Sequence, residues 1–153
     1  MLEIKIFNTE TSITSKEKED TINFLFDHLE EYGDKKEDIT KAVNFSLKIN
    51  DPALQPMPLG GFVLNGIMDD KIVGSLVVNK TGMSGYIPEN ILVYIATHRD
   101  YRGQSIGKKL MKKAFDIADG SVALHVEPDN PARFLYEKVG MTSKYIEMRY
   151  IKK

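Results

Sequence analysis

The first third of the chain alternates apolar and polar residues briefly, and then spaces its apolar residues three or four positions apart. The alternation over residues 2–6 predicts a short strand. Thr14 and Glu17 have the spacing of a capping box, and an amphipathic pattern follows them. Asp34 and Glu37 repeat that spacing ahead of a second amphipathic pattern. This part of the chain is therefore predicted to form one strand and two helices.

The middle of the chain has a loop rich in proline and glycine, followed by three apolar runs. The loop extends from residue 50 to residue 61. The runs over residues 62–68 and 72–78 are separated by residues 69–71, which predicts a β-hairpin. The third run, residues 91–96, lacks polar alternation, which is typical of a strand buried on both faces.

The last third of the chain alternates between helical and strand patterns. The apolar stripe over residues 106–118 predicts a helix, and residues 122–126 predict a short strand. Residues 130–140 predict another helix, opened by Asn130 and a proline, and residues 145–151 predict a final strand. Strand, helix and strand in this order form a βαβ unit, so its two strands are expected to be parallel. The fold class predicted is a mixed α/β sheet covered by helices.

Length and composition exclude several classes of protein. The 153 residues predict a single domain, residues 1–153, and the net charge of −1 argues against a nucleic-acid partner. The absence of cysteine excludes disulfides, cysteine nucleophiles and thiolate metal sites, and the three histidines lack ligand spacing, so no metal is expected. No apolar run approaches the roughly 18 residues of a membrane span, and a signal-peptide pattern is missing. We therefore expect a cytoplasmic protein without a membrane partner.

The segment from Thr97 to Lys109 leaves a predicted strand and enters a helix, and it is the best candidate for a binding site. The N-terminus of a helix has unsatisfied N–H groups and a partial positive charge, which suit a phosphate. Gly103 and Gly107 would let such a ligand approach closely. Lys109 stands where a Walker A loop requires Ser or Thr. Ser105 stands where the dinucleotide-binding fingerprint requires glycine. The alternative is that the two glycines only ease a turn and a helix–sheet contact.

Two separated motifs resemble one known family. Residues 102–107, Arg-Gly-Gln-Ser-Ile-Gly, resemble the signature [QR]-x-x-G-x-[GA] of the GNAT superfamily of acyl-CoA-dependent N-acyltransferases. Residues 130–141 are similar to its second motif, N-x-x-A-x-x-L-Y-E-K-x-G-F, although only one residue separates Asn130 from Ala132. The resemblance is sharp over residues 94–141, and Ser105 and Met141 depart from it. It implies a central, mostly antiparallel sheet with a parallel, splayed strand pair and helices on both faces.

The resemblance also implies where a co-substrate, acetyl-CoA, would bind. Its pantetheine arm would lie along the backbone of Ile95 and Thr97, and its diphosphate would meet the main-chain N–H groups from Gly103 to Lys108. The side chain of Ser105 would either crowd the diphosphate or donate a hydrogen bond to it. The residues that the resemblance assigns to cofactor binding are Ile95, Ala96, Thr97, Arg102, Gly103, Gln104, Ser105, Ile106, Gly107, Lys108 and Asn130.

The resemblance implies that Tyr136 is the catalytic residue, a general acid to the departing thiolate. A thiol pKa near 8.5 and a tyrosine pKa near 10 make full proton transfer uphill by roughly 2 kcal/mol, so hydrogen bonding to the thiolate is the alternative. The base that takes a proton from the acceptor amine is open. Some family members use a glutamate on the strand, where this chain has Tyr94, and Glu89, Glu127 or water are the candidates.

These features together predict an N-acetyltransferase that transfers the acetyl group of acetyl-CoA to an amine. Because the chain lacks cysteine, a direct transfer in a ternary complex is expected. The acceptor is a small-molecule or peptide amine of unknown identity, and the final strand is compatible with a homodimer. Ser105 and the missing strand carboxylate keep one alternative open, a catalytically idle acyl-CoA-binding module. A P-loop-like nucleotide binder is disfavoured by the failed Walker spacing.

Overall fold

The computed structural model describes residues 1–49 and 58–153 of the chain, so most of the predicted proline-rich loop lies outside the described residues. Its sheet has five strands in the order β1-β2-β3-β4-β5. The strands are β1 (Glu3–Phe7), β2 (Gly61–Met68), β3 (Lys71–Lys80), β4 (Asn90–Thr97) and β5 (Val122–Ala123). The helices are α1 (Ser15–His28), α2 (Lys36–Leu47), α3 (Ile106–Ile117) and α4 (Ala132–Lys138).

The sheet is mixed, as the sequence predicts. Strands β1 to β4 pair antiparallel with their neighbours, whereas β4 and β5 are parallel, which confirms the predicted βαβ unit. The hairpin between β2 and β3 turns at Asp69 and Asp70, which have φ angles of 52° and 60°. Positive φ at both central residues is the requirement of a type I′ turn, the connection that matches the twist of two antiparallel strands.

A separate apolar core lies on each face of the sheet. Helices α1 and α2 cover one face, where Leu25, Ile39 and Val43 are fully buried. Helix α3 covers the other face, where Leu110 is fully buried. A β-carbon added to Gly74 would lie 2.8 Å from Cδ1 of Leu110, so this glycine lets α3 approach the sheet closely. This packing holds the N-terminus of α3 near the end of β4.

The two predicted capping boxes have different outcomes. The first is confirmed, since the Glu17 N–H donates to Thr14 Oγ1 and the Thr14 N–H donates to Glu17 Oε1, both at 3.0 Å. The second is wrong, because the N-cap of α2 is Lys35 and it makes no side-chain cap hydrogen bond. The Asp34 carboxylate instead accepts a hydrogen bond of 2.6 Å from the Tyr94 hydroxyl. A tertiary contact with a buried tyrosine has replaced the local cap.

Two strand predictions need correction. Residues 91–96 form β4 as predicted, with Leu92 buried in the core beneath α3 and Tyr94 and Ala96 buried in the core beneath α1 and α2. The strand predicted over residues 122–126 ends at Ala123, where its pairing with β4 ends. The strand predicted over residues 145–151 is absent, and these residues are exposed without a backbone partner in the described chain. A strand pattern forms a strand only where a neighbouring strand meets it.

Candidate functional site

Strands β4 and β5 separate partway along their length. Their last paired residues are Ile91 and Ala123. Two residues further along β4, the register with β3 shifts and Val93 becomes an extra residue. Such a β-bulge bends its strand and re-aims the side chains that follow. The backbone of β4 from Val93 to Thr97 therefore has no partner on the β5 side, and we call this gap the strand opening.

The polar backbone groups of alternate β4 residues face the strand opening. The His98 N–H donates to the Val73 carbonyl oxygen at 2.8 Å. Because hydrogen-bonded residues alternate along an antiparallel ladder, Ala96 also bonds to β3, whereas the N–H and C=O groups of Ile95 and Thr97 point the other way. These groups form an open strand edge to which an extended ligand can add.

The turn after β4 brings the start of α3 to the same end of the sheet. Residues 102–105 are exposed, and Gly103 and Ser105 have φ angles of 83° and 62°. Ser105 is the N-cap of α3, yet its side chain makes no cap hydrogen bond. The first N–H groups of α3 are thus not satisfied by a capping side chain. Together with the positive end of the helix dipole, they are suited to an anion.

The two glycines of the turn have different roles. A β-carbon on Gly107 would lie 3.0 Å from Cδ2 of Leu135 and 3.6 Å from Oγ1 of Thr97. Gly107 therefore allows α3 to pack closely against α4. A β-carbon on Gly103 would meet nothing within 4 Å, but the positive φ of Gly103 suits glycine. The interpretation that a glycine eases a helix contact thus fits Gly107.

Two side chains predicted to bind the cofactor already have structural partners. The Arg102 guanidinium donates to the His28 carbonyl oxygen at 3.3 Å and lies 3.7 Å from Glu30 Oε2, at the end of α1. The Asn130 side-chain oxygen accepts a hydrogen bond of 2.9 Å from the N–H of Ala132, the first residue of α4. Both residues hold the elements around the strand opening in place.

The other predicted contact residues offer mainly their backbone. The side chain of Ala96 packs in the core beneath α1 and α2, and that of Ile106 packs in the core beneath α3. Gln104 is exposed and Lys108, in the first turn of α3, is half-buried. A ligand at this end of the sheet would therefore meet main-chain groups first, with Lys108 as the nearest cation on α3.

Tyr136, the predicted catalytic residue, lies on α4 and is 9% exposed within the same apolar cluster as Ile95. Its hydroxyl has no hydrogen-bond partner among the described residues. Every fully buried side-chain N or O atom in that part of the chain has a partner, so solvent must reach this hydroxyl. Burial raises the pKa of Tyr136 above its ordinary value, which keeps the hydroxyl protonated at neutral pH.

A second buried tyrosine lies on the opposite face of the sheet. Tyr94 is 7% exposed and donates to Asp34 in the segment between α1 and α2. Burial, the hydrogen bond to Asp34 and the charge of Asp38 raise the pKa of Tyr94, so it stays neutral and is not a base. Asp34 was not a candidate from the sequence, because its spacing to Glu37 resembled a helix cap.

The two carboxylates considered as bases lie in different places. Glu89 accepts hydrogen bonds from the N–H groups of Ser121 at 2.7 Å and Gly85 at 3.3 Å, which lower its pKa. It precedes β4 and, at about 3.3 Å per residue, lies about 13 Å along the strand from Val93, where the strand opening begins, and more than about 20 Å from Thr97, where it ends. Glu89 therefore joins two loops and does not line the strand opening. Glu127, four residues beyond the last paired residue of β5, is exposed.

A cluster of aromatic rings, one buried and two half-buried, joins α1 to the turn after β4. The rings of His28 and His98 are 4.2 Å apart, and Tyr101 packs edge-on against His98. His28 Nδ1 accepts a hydrogen bond of 3.3 Å from the Arg99 N–H. Burial, followed by the charges of His98 and Arg99, lowers the pKa of His28. The folded chain therefore prefers the neutral form of His28.

This preference predicts a loss of stability in weak acid. Because the folded pKa of His28 lies below the unfolded value of about 6.5, its contribution is fully present above that pH and is lost as the pH falls towards the folded pKa. We expect the urea midpoint to fall from pH 7.5 to 5.5, and His28→Gln to reduce that fall. His125→Gln, at an exposed site, is the control, and its urea midpoint should fall as much as that of the wild-type protein. An equal fall of the urea midpoint in all three proteins would contradict the prediction.

Ser105 is under backbone strain that glycine would relieve. A left-handed conformation costs a non-glycine residue about 1–2 kcal/mol, partly offset by about 0.5–1 kcal/mol for the greater freedom of unfolded glycine. We expect Ser105→Gly to raise the free energy of unfolding by up to about 1 kcal/mol, and Ser105→Ala to leave it level or lower. Chemical denaturation of both variants measures this. A destabilised glycine variant would show that the Ser105 side chain supports the turn.

Two further features of the described residues bear on function. Within residues 1–49 and 58–153, no group of three or more His, Asp or Glu side chains is arranged to hold a metal ion. None of the helices in those ranges is both long enough and apolar enough to span a membrane.

The described chain thus has an open strand edge on β4, a helix N-terminus after the end of that strand, and a buried tyrosine on α4. The chain belongs to the acetyltransferase (GNAT) family, whose model matches residues 22–141. None of the curated protein sequences is significantly similar to this chain.

Solved structures with this fold include three acetyltransferases. The ribosomal-protein-alanine N-acetyltransferase of Brucella melitensis biovar Abortus 2308 is 17% identical, with a TM-score of 0.60 over 100% of this chain and 99% of its own. The aminoglycoside acetyltransferase meta-AAC0020 from an uncultured soil metagenomic sample, in complex with sisomicin, is 17% identical (TM-score 0.60, 99% and 97%). The aminoglycoside N-acetyltransferase AAC(6′)-Iy, in complex with CoA, is 11% identical (TM-score 0.67, 100% and 97%). At these identities the likeness is one of fold.

Proposed function

We propose that the protein is an N-acetyltransferase that transfers the acetyl group of acetyl-CoA directly to an amine. The observation that carries the proposal is the end of β4–β5 pairing at Ile91 and Ala123, which leaves β4 open from there to its far end, where the uncapped N-terminus of α3 lies. An extended amide-containing arm fits the open backbone of Ile95 and Thr97. A diphosphate fits the N–H groups of residues 103–108. Acyl-CoA contains both parts in one molecule.

The transfer follows from the groups around the strand opening. The acceptor nitrogen attacks the thioester carbonyl carbon, the carbon–sulfur bond breaks to release the CoA thiolate, and the nitrogen loses a second proton, which passes through solvent to the thiolate, as the amide forms. A main-chain N–H near Ile95 would stabilise the carbonyl oxygen as it gains charge. The raised pKa of Tyr136 makes complete proton transfer to the thiolate more uphill than between free groups. Hydrogen bonding from the Tyr136 hydroxyl to the thiolate is therefore the role that we assign to it.

The acceptor must lose a proton before it attacks. An alkyl ammonium with a pKa near 10.4 is about one part in 2,500 neutral at pH 7. Tyr94 is a hydrogen-bond donor to Asp34, and Glu89 is remote from the strand opening. With Tyr94 and Glu89 set aside, we assign the role of base to Glu127 acting through water. Glu127 follows β5 at the same end of the sheet as Thr97.

The acceptor class is a small-molecule or peptide amine, used in the cytoplasm without nucleic acid or membrane. Support comes from the neighbours of similar fold, one of which binds sisomicin and another of which is a ribosomal-protein-alanine N-acetyltransferase.

Release of CoA thiol from acetyl-CoA in the presence of an amine panel tests this function. The panel contains aminoglycosides, polyamines, free amino acids and peptides with alanine or lysine at the N-terminus. Amine-dependent thiol release, with an acetylated product seen by mass spectrometry, supports the proposal. Binding of acetyl-CoA without turnover on any amine would favour the second candidate, an idle acyl-CoA-binding module. The strained Ser105 and the absence of a carboxylate at Tyr94 are the observations behind that candidate.

A further inference from the structure

A groove lies on the α1 side of the sheet, away from the strand opening, and we call it the α1 groove. Its volume of about 510 Å³ is in the range of about 300–1,000 Å³ that is typical of small-molecule sites. Among the residues that the structure describes, those lining it belong to α1, β1, β2, β3 and the turn between β2 and β3, and none belongs to β4, β5, α3 or α4. The α1 groove is therefore a candidate site distinct from the one assigned to acyl-CoA.

The interior of the α1 groove combines aromatic and amide side chains. Phe7 and Phe24 line it and are buried in the core beneath α1 and α2. Asn65 also lines it and is buried, and its amide donates to Thr21 Oγ1 and accepts from Ser75 Oγ, both at 2.8 Å. Packing and hydrogen bonds hold these side chains in place, so the groove is formed before any ligand binds.

One buried donor in the α1 groove has no acceptor. His28 is 9% exposed, and its Nδ1 accepts a hydrogen bond from the Arg99 N–H, so the proton of neutral His28 is on Nε2. This Nε2–H has no hydrogen-bond partner among residues 1–49 and 58–153. Every fully buried side-chain N or O atom in those ranges has a partner, so Nε2 is open to solvent, and the groove is the space that His28 lines. A donor held in this way is ready to bond an oxygen atom of a ligand.

Carboxylates outnumber cations around the α1 groove. Five carboxylates and two lysines line it, namely Glu3, Glu17, Asp20, Asp27 and Asp70, with Lys5 and Lys71. Two of the carboxylates are paired with lysines, and the Lys71 ammonium lies over the ring of Tyr101, 5.0 Å from its centre. Glu3, Asp27 and Asp70 have no ion-pair partner in the described part of the chain. The groove therefore favours a ligand with a positive charge.

We propose that the α1 groove binds a small hydroxylated amine, with its ammonium group beside the unpaired carboxylates and a hydroxyl oxygen accepting a hydrogen bond from His28 Nε2. The carbon skeleton between these two groups would lie against Phe7 and Phe24. A bare metal cation would leave the Nε2–H unbonded, and an uncharged alcohol would leave the carboxylates unpaired. A ligand with both groups matches the groove in charge and in hydrogen bonding. This inference concerns a second site and does not depend on the proposed reaction.

Three matched probes test the site by NMR titration of the isotope-labelled chain. Aminocyclohexanol with its two groups on opposite ring carbons has both features, whereas cyclohexylamine lacks the hydroxyl and cyclohexanol lacks the ammonium. We expect aminocyclohexanol to bind about fivefold more tightly than either of the others, the scale of one net hydrogen bond or more.

The shifts in the same titration locate the ligand. The saturable shifts should include the N–H signals of residues 70–72, which line the groove, and of Arg99, whose N–H donates to the other nitrogen of the His28 ring. Equal affinities for the three probes, no saturable shifts, or shifts confined to residues around the strand opening would overturn the proposal.

Two double variants test the role of the carboxylates. Asp27→Asn with Asp70→Asn removes two unpaired carboxylates from the groove and should weaken the binding of aminocyclohexanol by about fivefold or more. Asp70 has a positive φ, which asparagine also tolerates, so this variant should stay folded. Asp116→Asn with Asp119→Asn is the matched control, because both residues are exposed and neither lines the α1 groove. An unchanged affinity in the first variant, or an equal loss in both, would overturn the proposal.

Discussion

Replacing Tyr136 with phenylalanine is expected to lower the turnover number by about 10- to 1000-fold, the scale of a single proton-donating group. The ring would remain, so the packing of α4 in the core beneath α3 should change little. The hydroxyl would be lost, and it is the group that we place at the departing thiolate. Because it has no hydrogen-bond partner among the described residues and is reached by solvent, its removal leaves no protein group unsatisfied.

Steady-state rates with an accepted amine, and calorimetric titration with acetyl-CoA, separate chemistry from binding. We expect kcat to fall while the dissociation constant for acetyl-CoA changes less than about threefold, since loss of an interaction made only in the transition state lowers kcat and kcat/KM equally and leaves ground-state binding unchanged. Tyr86→Phe is the matched control, because Tyr86 is 81% exposed on the loop before β4. Unchanged turnover in Tyr136→Phe would remove Tyr136 from the reaction.

Replacing Leu110 with alanine is expected to lower the free energy of unfolding by about 2–5 kcal/mol. Leu110 is fully buried on α3, and its methyl groups occupy the space left by Gly74 and Gly66 on the sheet. Those two glycines have no side chains to fill the resulting cavity. The loss should therefore lie towards the upper part of that range, and the position of the α3 N-terminus should be less well fixed.

Urea denaturation measures this loss, and Lys109→Ala is its control. Lys109 is the exposed neighbour of Leu110, and surface changes of this kind usually stay within about 0.5 kcal/mol. A loss below about 1 kcal/mol in Leu110→Ala would mean that α3 does not depend on this contact. The packing described for the second core would then be wrong.

The local signals of the sequence predicted most of the fold. The capping box at Thr14, the hairpin around Asp69 and the stripe of α3 depend on neighbours in the chain, and each is confirmed. The failures concern partners that are distant in sequence. Asp34 looks like a cap, but a hydrogen bond from Tyr94, sixty residues away, takes its carboxylate. The final strand pattern, residues 145–151, meets no strand among residues 1–49 and 58–153.

The features of the candidate site also fall into local ones, which the sequence predicted, and ones that depend on residues distant in sequence, which it did not. The motifs predicted the turn at Gly103 and the tyrosine on α4, because short motifs specify local geometry. They could not predict the bulge at Val93, since it is defined by the register with β3. Nor could they predict that Arg102 is held by the carbonyl of His28 and by Glu30, which belong to the end of α1 and the turn after it.

The position of the CoA diphosphate in a crystal of the complex tests most directly whether the strand opening and the N-terminus of α3 form the acyl-CoA site. We expect its oxygens to lie within hydrogen-bond distance of main-chain N–H groups of residues 103–108, with the pantetheine amides paired to Ile95 and Thr97. Calorimetry of the same protein should then give one site per chain. A diphosphate bound elsewhere, or no measurable binding of CoA, would contradict both the site and the function proposed for it.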